Sequence, residues 1–487
     1  MTQKVDLANQ FIAENVKKVN PIYRHHYHLM APIGWINDPN GFIYYQGAYH
    51  LFYQYYPYES KWGPMHWGHA KSEDLVHWEH LPVALAPDEA YDANGCYSGS
   101  AIAHEDKLYL IYTGHVEQDG VRREVQCLAM SEDGNHFEKY RHNPIISEVQ
   151  LEGLDADIAD FRDPKIFERE GQFYCIVASK TSEDLGQILL FKSNDLKKWT
   201  FFSTLLTGEA KHGTMWECPD LFRLDGKDVL ILSPIAMPID GFAYENLNST
   251  LAFIGEVDWT KGHFKVENEH EIDGGLDFYA PQTCQGPNGK RIMVAWMQMW
   301  QRTLPTDDKG HLWAGAMTLP RELSVDKLRL VQKPVPVKLQ PKTQRITVSG
   351  DKTVLFKDLM TDSCYLKFEL DISKTSQVLI ALLKSEKSAL KLSFDVDTQI
   401  LTFDRTDFGL PLVGQEQSPL NRRHIKLSLA DSEWLIIEIY KDTSSIEIFL
   451  NGGVALTATF YELEKSQAIS ICTDGELNGT LTYSDIK

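Results

Sequence analysis

The chain has 487 residues, of which 43% are hydrophobic and 24% are charged. This composition supports a large core and excludes bulk disorder, and the length favours two domains. The formal net charge of -20 disfavours phosphate backbones and anionic membranes, so we expect no nucleic acid and no membrane as partners.

Residues 1–27 are predicted to form a helical lead-in. Leu7, Phe11 and Ile12 follow helical spacing, and Pro21 ends the pattern. The segment lacks the long apolar stretch of a signal peptide, and the seven cysteines are scattered singly without a C-x-x-C pair. We therefore expect reduced thiols, no zinc knuckle and a cytoplasmic protein.

An internal repeat organises residues 28–332. Five segments share a Gly or Asp, a short gap and alternating apolar residues, at intervals of 55 to 65 residues. They are GAYHLFYQY from Gly47, DKLYLIYTG from Asp106, GQFYCIVAS from Gly171, GKDVLILSP from Gly226 and GKRIMVAWM from Gly289. A Ser-x-Asp turn followed by an aromatic ring recurs at the same interval, in SEDLVHW from Ser72, SEDGNHF from Ser131 and SNDLKKW from Ser193.

Strands that recur at this interval, without helical periodicity between them, are typical of radial four-stranded blades. We therefore predict an all-β chain in which residues 28–332 form a five-bladed β-propeller; a large irregular β-sandwich is the alternative. KPVPVKLQP over 333–341 is interpreted as a proline-stiffened linker. Alternating runs such as WLIIEIY and SSIEIFLNGG, with a tight-turn signal at Asn451-Gly452, predict an antiparallel β-sandwich over 342–487.

Three acidic residues precede three of the repeated strands by nearly the same interval. Asp38 lies nine residues before its Gly, Asp163 eight and Glu217 nine, in WINDPNG, FRDP and WECPD. In a propeller the first strand of each blade lines the central axis, so equivalent positions on different blades face one another. Each motif alone is explained by a turn, since Asp, Asn and Pro are good turn formers. Three acids in register favour a functional carboxylate cluster.

A carboxylate cluster among aromatic residues is suited to cleaving a glycosidic bond: one acid protonates the leaving oxygen, and another attacks the anomeric carbon or activates water. These roles need different pKa values. We expect the neighbouring aspartates to raise the pKa of Glu217, which favours Glu217 as the acid/base. Asn37, Asn40 and backbone amides are expected to keep Asp38 ionised.

Together with YSGS (Tyr97 to Ser100) and DFYAPQ (Asp277 to Gln282), these motifs resemble the β-fructofuranosidases of glycoside hydrolase family 32. The resemblance implies that Asp38 is the nucleophile, Glu217 the acid/base and Asp163 a transition-state stabiliser. It also implies retention of configuration through a fructosyl-enzyme intermediate, with the Asp38 and Glu217 carboxyls roughly 5–5.5 Å apart. The positions assigned to the sugar pocket are Trp35, Ile36, Asn37, Gln54, Trp62, Tyr97, Ser98, Arg162 and Trp296.

The expected function is hydrolysis of sucrose, sucrose-6-phosphate or both, without a cofactor or metal. The alternatives are a short-chain fructan hydrolase of the same family, an inverting propeller glycosidase and a non-catalytic carbohydrate-binding propeller. The expected partner is a small sugar, and a homo-oligomer is left open. A phosphorylated substrate needs cations, and the candidates are Arg302, Lys309 and His311, after the fifth repeated strand. The Arg24 to His28 segment is interpreted as a rim or strand-leading segment rather than a zinc site.

Overall fold

The computed structural model describes residues 3–350, 352–415, 421–429 and 432–486. They form an all-β protein, a propeller followed by a sandwich. The helices are α1 (Gln3–Asn15), α2 (Glu148–Leu151) and α3 (Pro305–Asp308), with 3-10 turns at Val16–Lys18, Ile158–Asp160 and Ala210–His212. Within the described ranges, no helix has the length and hydropathy needed to cross a membrane.

The predicted N-terminal helix is α1, which ends at Asn15, before the proline that was expected to end it. Its buried residues are Val5 and Ala8, which pack in the core cluster of the first sheet. Leu7, one of the apolar residues that predicted the helix, is 50% exposed. The helical spacing therefore predicted the helix correctly, although the buried face is not the expected one.

Residues 34–334 form five sheets, each built on four antiparallel strands, and the first sheet gains a fifth strand from later in the chain. The first sheet contains β1 (Gly34–Tyr45), β2 (Ala48–Tyr56), β3 (His66–Ser72) and β4 (Glu79–Leu85). The second contains β5 (Gly95–His104), β6 (Lys107–Gln118), β7 (Val121–Ser131) and β8 (Glu138–Lys139). The third contains β9 (Phe161–Arg169), β10 (Gln172–Lys180), β11 (Gly186–Ser193) and β12 (Thr200–Thr207).

The fourth sheet contains β13 (Met215–Leu224), β14 (Lys227–Ile235), β15 (Leu251–Asp258) and β16 (His263–Glu271). The fifth contains β17 (Tyr279–Gln285), β18 (Arg291–Trp296), β20 (Arg321–Asp326) and β21 (Arg329–Pro334). The short strand β19 (Trp313–Ala314) pairs in parallel with β1 and so extends the first sheet. The first strands β1, β5, β9, β13 and β17 contact one another in that order, and β17 contacts β1 again.

Each repeated segment forms the second strand of its sheet, as the repeat predicted. The turns that precede these strands use positive φ angles, as in Asp225 (49°) and Gly226 (84°). This conformation matches the twist of a two-residue hairpin turn, and glycine adopts it without steric cost. The Ser-x-Asp repeat forms the connections between the third and fourth strands of the first three sheets. There the carboxylates of Asp74, Asp133 and Asp195 accept backbone N–H bonds.

Residues 342–485 form two antiparallel sheets around a second core. One sheet contains β22 (Lys342–Ser349), β24 (Cys364–Lys374), β29 (Trp434–Asp442), β30 (Ser445–Leu450), β31 (Val454–Thr459) and β33 (Glu476–Asp485). The other contains β23 (Val354–Phe356), β25 (Gln377–Leu382), β26 (Leu390–Asp395), β27 (Ile400–Asp404), β28 (Arg422–Lys426) and β32 (Ile469–Thr473). The expected turn at Asn451-Gly452 joins β30 to β31, while the predicted linker overlaps the end of β21.

Buried ionic contacts join the sandwich to the N-terminal segment. The ring nitrogens of His28 lie 2.9 Å from Asp442 and 2.9 Å from Glu447. Burial lowers the pKa of His28, but these bonds outweigh it and raise the pKa to about 9. His25, His28 and Asp442 lie close enough together to hold a metal ion, but both His28 ring nitrogens already contact carboxylates. The segment is thus a junction with the sandwich rather than the rim that we expected.

Candidate active site

The structure brings the three predicted acids together. Asp38 lies in β1, Asp163 in β9 and Glu217 in β13. Cys218 connects them, because its Sγ lies 3.6 Å from Asp38 Oδ2 and 3.6 Å from Asp163 Oδ2, and its N–H donates to Asp163 Oδ2 at 2.9 Å. The residue after Glu217 therefore touches both of the other acids, which lie in different sheets.

β-Bulges at equivalent points of the five first strands aim these side chains inward. In four of these strands the register shift lies between Ile36 and Pro39, Tyr97 and Gly99, Glu217 and Asp220, and Tyr279 and Gln282. In β9 the shift includes Asp163. Asp163, Cys218 and Ala280 have positive φ, at 63°, 48° and 51°. Bulges redirect side chains next to active sites, and they tolerate proline because the extra residue is unpaired. This explains the shared Asp-Pro, Cys-Pro and Ala-Pro pairs.

Asp38 is buried, with 9% of its surface exposed. Its Oδ2 accepts a hydrogen bond of 2.8 Å from Ser98 Oγ. Burial and the negative charge of Glu217 raise the pKa of Asp38 to about 6, although Ser98, Asn37 and Cys218 act in the opposite direction. Asn40, which we expected to help Asp38, instead accepts a bond from the N–H of Gly99 at 3.3 Å.

Asp163 is buried beside Arg162. Burial raises the pKa of Asp163; Arg162 opposes this shift, whereas Glu217 and Asp38 add to it. Burial and the neighbouring negative charges therefore raise the pKa of both aspartates.

Glu217 lies between a cation and a hydroxyl. Arg162 Nη2 is 3.1 Å from Glu217 Oε1, and Arg162 is itself held by Glu124 at 3.1 Å and Asp160 at 3.0 Å. The hydroxyl of Tyr279 is 2.6 Å from Glu217 Oε2. Glu217 is therefore oriented through both of its oxygens.

The Tyr279 hydroxyl has two acceptors but one proton. It lies 2.6 Å from Glu217 Oε2 and 3.0 Å from the carbonyl oxygen of Ser233. It donates to Glu217 when Glu217 is ionised. When Glu217 is protonated, Tyr279 accepts from it and donates to Ser233. The tyrosine thus bonds to Glu217 in both protonation states.

Aromatic rings form one wall beside the acids. The Trp35 and Trp296 ring centroids are 5.7 Å apart, and Trp300 lies 4.9 Å from Trp296 and 6.0 Å from Trp35. The indole Nε1–H of Trp35 donates to Asn37 Oδ1 at 2.7 Å, which fixes the amide orientation. Flat apolar rings of this kind suit the faces of a sugar.

A second wall comes from Tyr97, which stacks on His115 with centroids 4.1 Å apart. Trp62 is 48% exposed and its ring lies 6.1 Å from Tyr97, so it belongs to the rim. Gln54 is buried, and its amide donates to the carbonyl of Cys96 at 3.0 Å. Ile36 packs in the core cluster of the first sheet rather than beside the acids. Trp296 is 0% exposed and packs with Trp35 and Tyr279.

Sequence reasoning missed several residues of the site. Tyr279 belonged to the quoted DFYAPQ motif, but its hydroxyl was given no role. Trp300 had no signal beyond being aromatic. His115 and Glu124, 3.2 Å apart, lie behind Tyr97 and Arg162 and belong to no motif.

The cations expected to hold a phosphate are placed differently. Arg302 has only 2% of its side chain exposed and is bound to Asp277, so it is unavailable to a substrate. His311 is buried and stacks on Tyr23 at 5.8 Å. The prediction was wrong for these two residues because their loop folds back onto the protein. Lys309 is exposed.

Buried carboxylates that meet at bulges near the centre of a propeller, between aromatic walls, define the site of a glycoside hydrolase. Two family models match the chain. The model described as "Glycosyl hydrolases family 32 N-terminal domain" matches residues 28–334, and the one described as "Glycosyl hydrolases family 32 C terminal" matches residues 335–487. The chain belongs to glycoside hydrolase family 32.

Named relatives cover nearly the whole chain. The chain is 35% identical to the sucrose-6-phosphate hydrolase of Bacillus subtilis, with 95% of both chains covered. It is 35% identical to the raffinose invertase of Escherichia coli, with 98% of this chain and 99% of the relative covered.

Solved structures are similar over the same span. A mutant Bombyx mori beta-fructofuranosidase in complex with sucrose matches with a TM-score of 0.85 and 32% identity, over 100% of this chain and 99% of the other. The sucrose-6-phosphate hydrolase of Lactobacillus gasseri matches with a TM-score of 0.86 and 30% identity, over 98% and 96%.

Proposed function

We propose that the protein is a retaining β-fructofuranosidase that hydrolyses sucrose, sucrose-6-phosphate or both. The observation that carries this proposal is the contact of Cys218 with both Asp38 and Asp163, directly beside Glu217. The names of the relatives support the substrate class. A short-chain fructan hydrolase of the same family is the alternative substrate assignment.

In the proposed mechanism Asp38 attacks C2 of the fructosyl unit while Glu217 protonates the leaving oxygen, so the C2–O bond breaks as the Asp38–C2 bond forms. Glu217 then takes a proton from water, which attacks C2 and releases Asp38 as a carboxylate. Asp163 binds fructosyl hydroxyls, and Arg162 orients Glu217. The expected 5–5.5 Å separation of the Asp38 and Glu217 carboxyls remains a prediction.

We also propose that the sheets of residues 34–334 are the five blades of the propeller, which places the domain boundaries at 28–332 and 342–487. The closed series of contacts among β1, β5, β9, β13 and β17 supports this arrangement. The first halves of those strands carry the bulges, and β1, β9 and β13 carry the acids.

Incubation with sucrose tests the function. We expect equimolar glucose and fructose, and in aqueous methanol we expect methyl β-fructofuranoside, because two displacements at C2 retain configuration. The product ratio and anomer are measured by NMR. Methyl α-fructofuranoside would indicate an inverting enzyme. No release of reducing sugar would favour a binding propeller.

The pKa of Asp38 predicts an acidic limit to activity. The nucleophile must be ionised, and with a pKa of about 6 its carboxylate fraction falls to about a tenth at pH 5. We therefore expect kcat/KM to fall about tenfold per pH unit below pH 6. Since Ser98 lowers the pKa of Asp38, Ser98→Ala is expected to move this acidic fall in kcat/KM to higher pH. If the fall does not move in Ser98→Ala, it does not report the ionisation of Asp38.

A comparison of sucrose with its 6-phosphate tests the finer substrate assignment. A charge-assisted contact to the phosphate contributes about 1.5–3 kcal/mol, so kcat/KM is expected to be more than about tenfold higher for the phosphorylated sugar. Lys309 is the remaining candidate, and Lys309→Ala is expected to lower only the value for the phosphate. Equal kcat/KM values for the two sugars reject the preference.

A further inference from the structure

We propose that Arg405, a residue of the sandwich, is a positioning residue for Glu217 and acts through Asp277 and Tyr279. This inference rests on the proposed role of Glu217 as acid/base. It gives the sandwich a part in the reaction as well as in the fold.

The carboxylate of Asp277 is held from both domains. Asp277 is 1% exposed. Its Oδ1 lies 2.6 Å from Arg302 Nη1, and its Oδ2 lies 2.5 Å from Arg405 Nη1. Thr459 of β31 adds its backbone N–H at 2.8 Å and its hydroxyl at 3.1 Å, both to Oδ2. Each oxygen has charged or polar donors, so the carboxylate has one orientation.

The fixed carboxylate sits two residues before the tyrosine that touches Glu217. Only Phe278 separates Asp277 from Tyr279, and its ring is buried 4.9 Å from the guanidinium of Arg321. Tyr279 is 1% exposed and its hydroxyl reaches Glu217 Oε2 at 2.6 Å. Because all three residues of this segment are buried, we expect a displacement at Asp277 to be passed to the hydroxyl.

Asp277 is also linked to the tryptophan wall of the pocket through Arg302. Arg302 follows Trp300 on the loop after β18, and Trp300 packs on Trp35 and Trp296. One carboxylate therefore sets both the tyrosine and the tryptophan loop. Arg405 supplies the second positive charge on Asp277. Without it, the buried carboxylate keeps one cation, Arg302, and two uncharged donors from the sandwich, the backbone N–H and the hydroxyl of Thr459.

A neighbouring pair of contacts provides a matched control. In β31, the hydroxyl of Thr457 donates to Asp273 Oδ2 at 2.7 Å, and the hydroxyl of Thr459 donates to Asp277 Oδ2 at 3.1 Å. Both threonines join the same strand to the same propeller segment. Only the second contacts the carboxylate next to Tyr279. A Thr→Val change at each position therefore separates loss of the interface from loss of positioning.

The test compares kcat/KM on sucrose, whose leaving group needs a proton, with kcat/KM on an aryl β-fructofuranoside whose leaving group does not. This parameter reports formation of the fructosyl-enzyme and leaves out its hydrolysis, in which Glu217 acts as the base on both substrates. Misplacing the proton donor slows formation only from sucrose, so Arg405→Met is expected to lower kcat/KM on sucrose about tenfold or more and on the aryl substrate less than about twofold. Arg405→Lys is expected to restore most of the loss. Thr457→Val is expected to leave both rates unchanged. Combining Arg405→Met with Tyr279→Phe is expected to cost no more on sucrose than Tyr279→Phe alone.

Equal losses on the two substrates in the Arg405 variants, or losses that add fully to that of Tyr279→Phe, overturn the inference. If Arg405→Met does not fold, the ratio of the values on sucrose and on the aryl substrate is measured for Arg405→Lys and Thr459→Val instead. The proposed acid/base role of Glu217 fails separately, when Glu217→Ala itself shows equal losses on the two substrates.

Discussion

Replacing Asp38 by asparagine is expected to lower kcat on sucrose by more than about 10⁴-fold, because an amide cannot form the ester to C2. The fold should persist, since Asn has nearly the same shape and its side-chain oxygen can still accept the bond from Ser98. The change also removes a charge that burial and Glu217 disfavour. The melting temperature is therefore expected to be unchanged or higher. Steady-state kinetics and thermal unfolding followed by circular dichroism measure both effects.

Asp38→Ala is the companion variant, because it cannot regain a carboxylate by deamidation. Near-native turnover in either variant would refute the assigned nucleophile. A loss of activity together with a large fall in melting temperature would instead identify Asp38 as structural.

Glu217→Ala is expected to lower kcat/KM on sucrose by about 10²–10⁴-fold, the usual contribution of a general acid. The loss in kcat/KM should be much smaller on an aryl β-fructofuranoside, since its leaving group departs without a proton and kcat/KM leaves out the later step in which Glu217 is the base. The ratio of the two kcat/KM values is the measurement. Glu217→Gln is the matched control for packing, because its side-chain oxygen and shape keep the contacts with Arg162 and Tyr279.

A uniform loss on both substrates would show that Glu217 does not donate the proton. A full recovery of sucrose hydrolysis in Glu217→Gln would lead to the same conclusion, because the amide has no acidic proton to give.

The strands could be predicted from sequence because their signals are local. Alternation and turn residues identified β2, β6, β10, β14 and β18. The nearly equal spacing of Asp38, Asp163 and Glu217 from those turns predicted that the three acids meet. The bulges with their prolines were present in the motifs, although they were interpreted as turns. A repeat therefore carries information about tertiary proximity that a single motif lacks.

The remaining errors arise where tertiary packing decides. Arg302 and His311 looked like free loop cations, but their partners, Asp277 and Tyr23, lie far away in sequence. The raised pKa of Asp38 follows from burial, which sequence does not report directly. Ile36 was accepted with its neighbours in the motif, whereas strand alternation alone places it opposite Trp35 and Asn37.

The parallel pairing of β19 with β1 sets an order in time for synthesis. Gly34 pairs with Trp313, so the two partners leave the ribosome about 15–60 s apart at ordinary translation rates. During that interval the edge of the strand that carries Asp38 has no permanent partner, and an open edge can pair with other chains. Asp38, the proposed nucleophile, therefore lies on a strand whose edge stays uncovered until Trp313 has been synthesised.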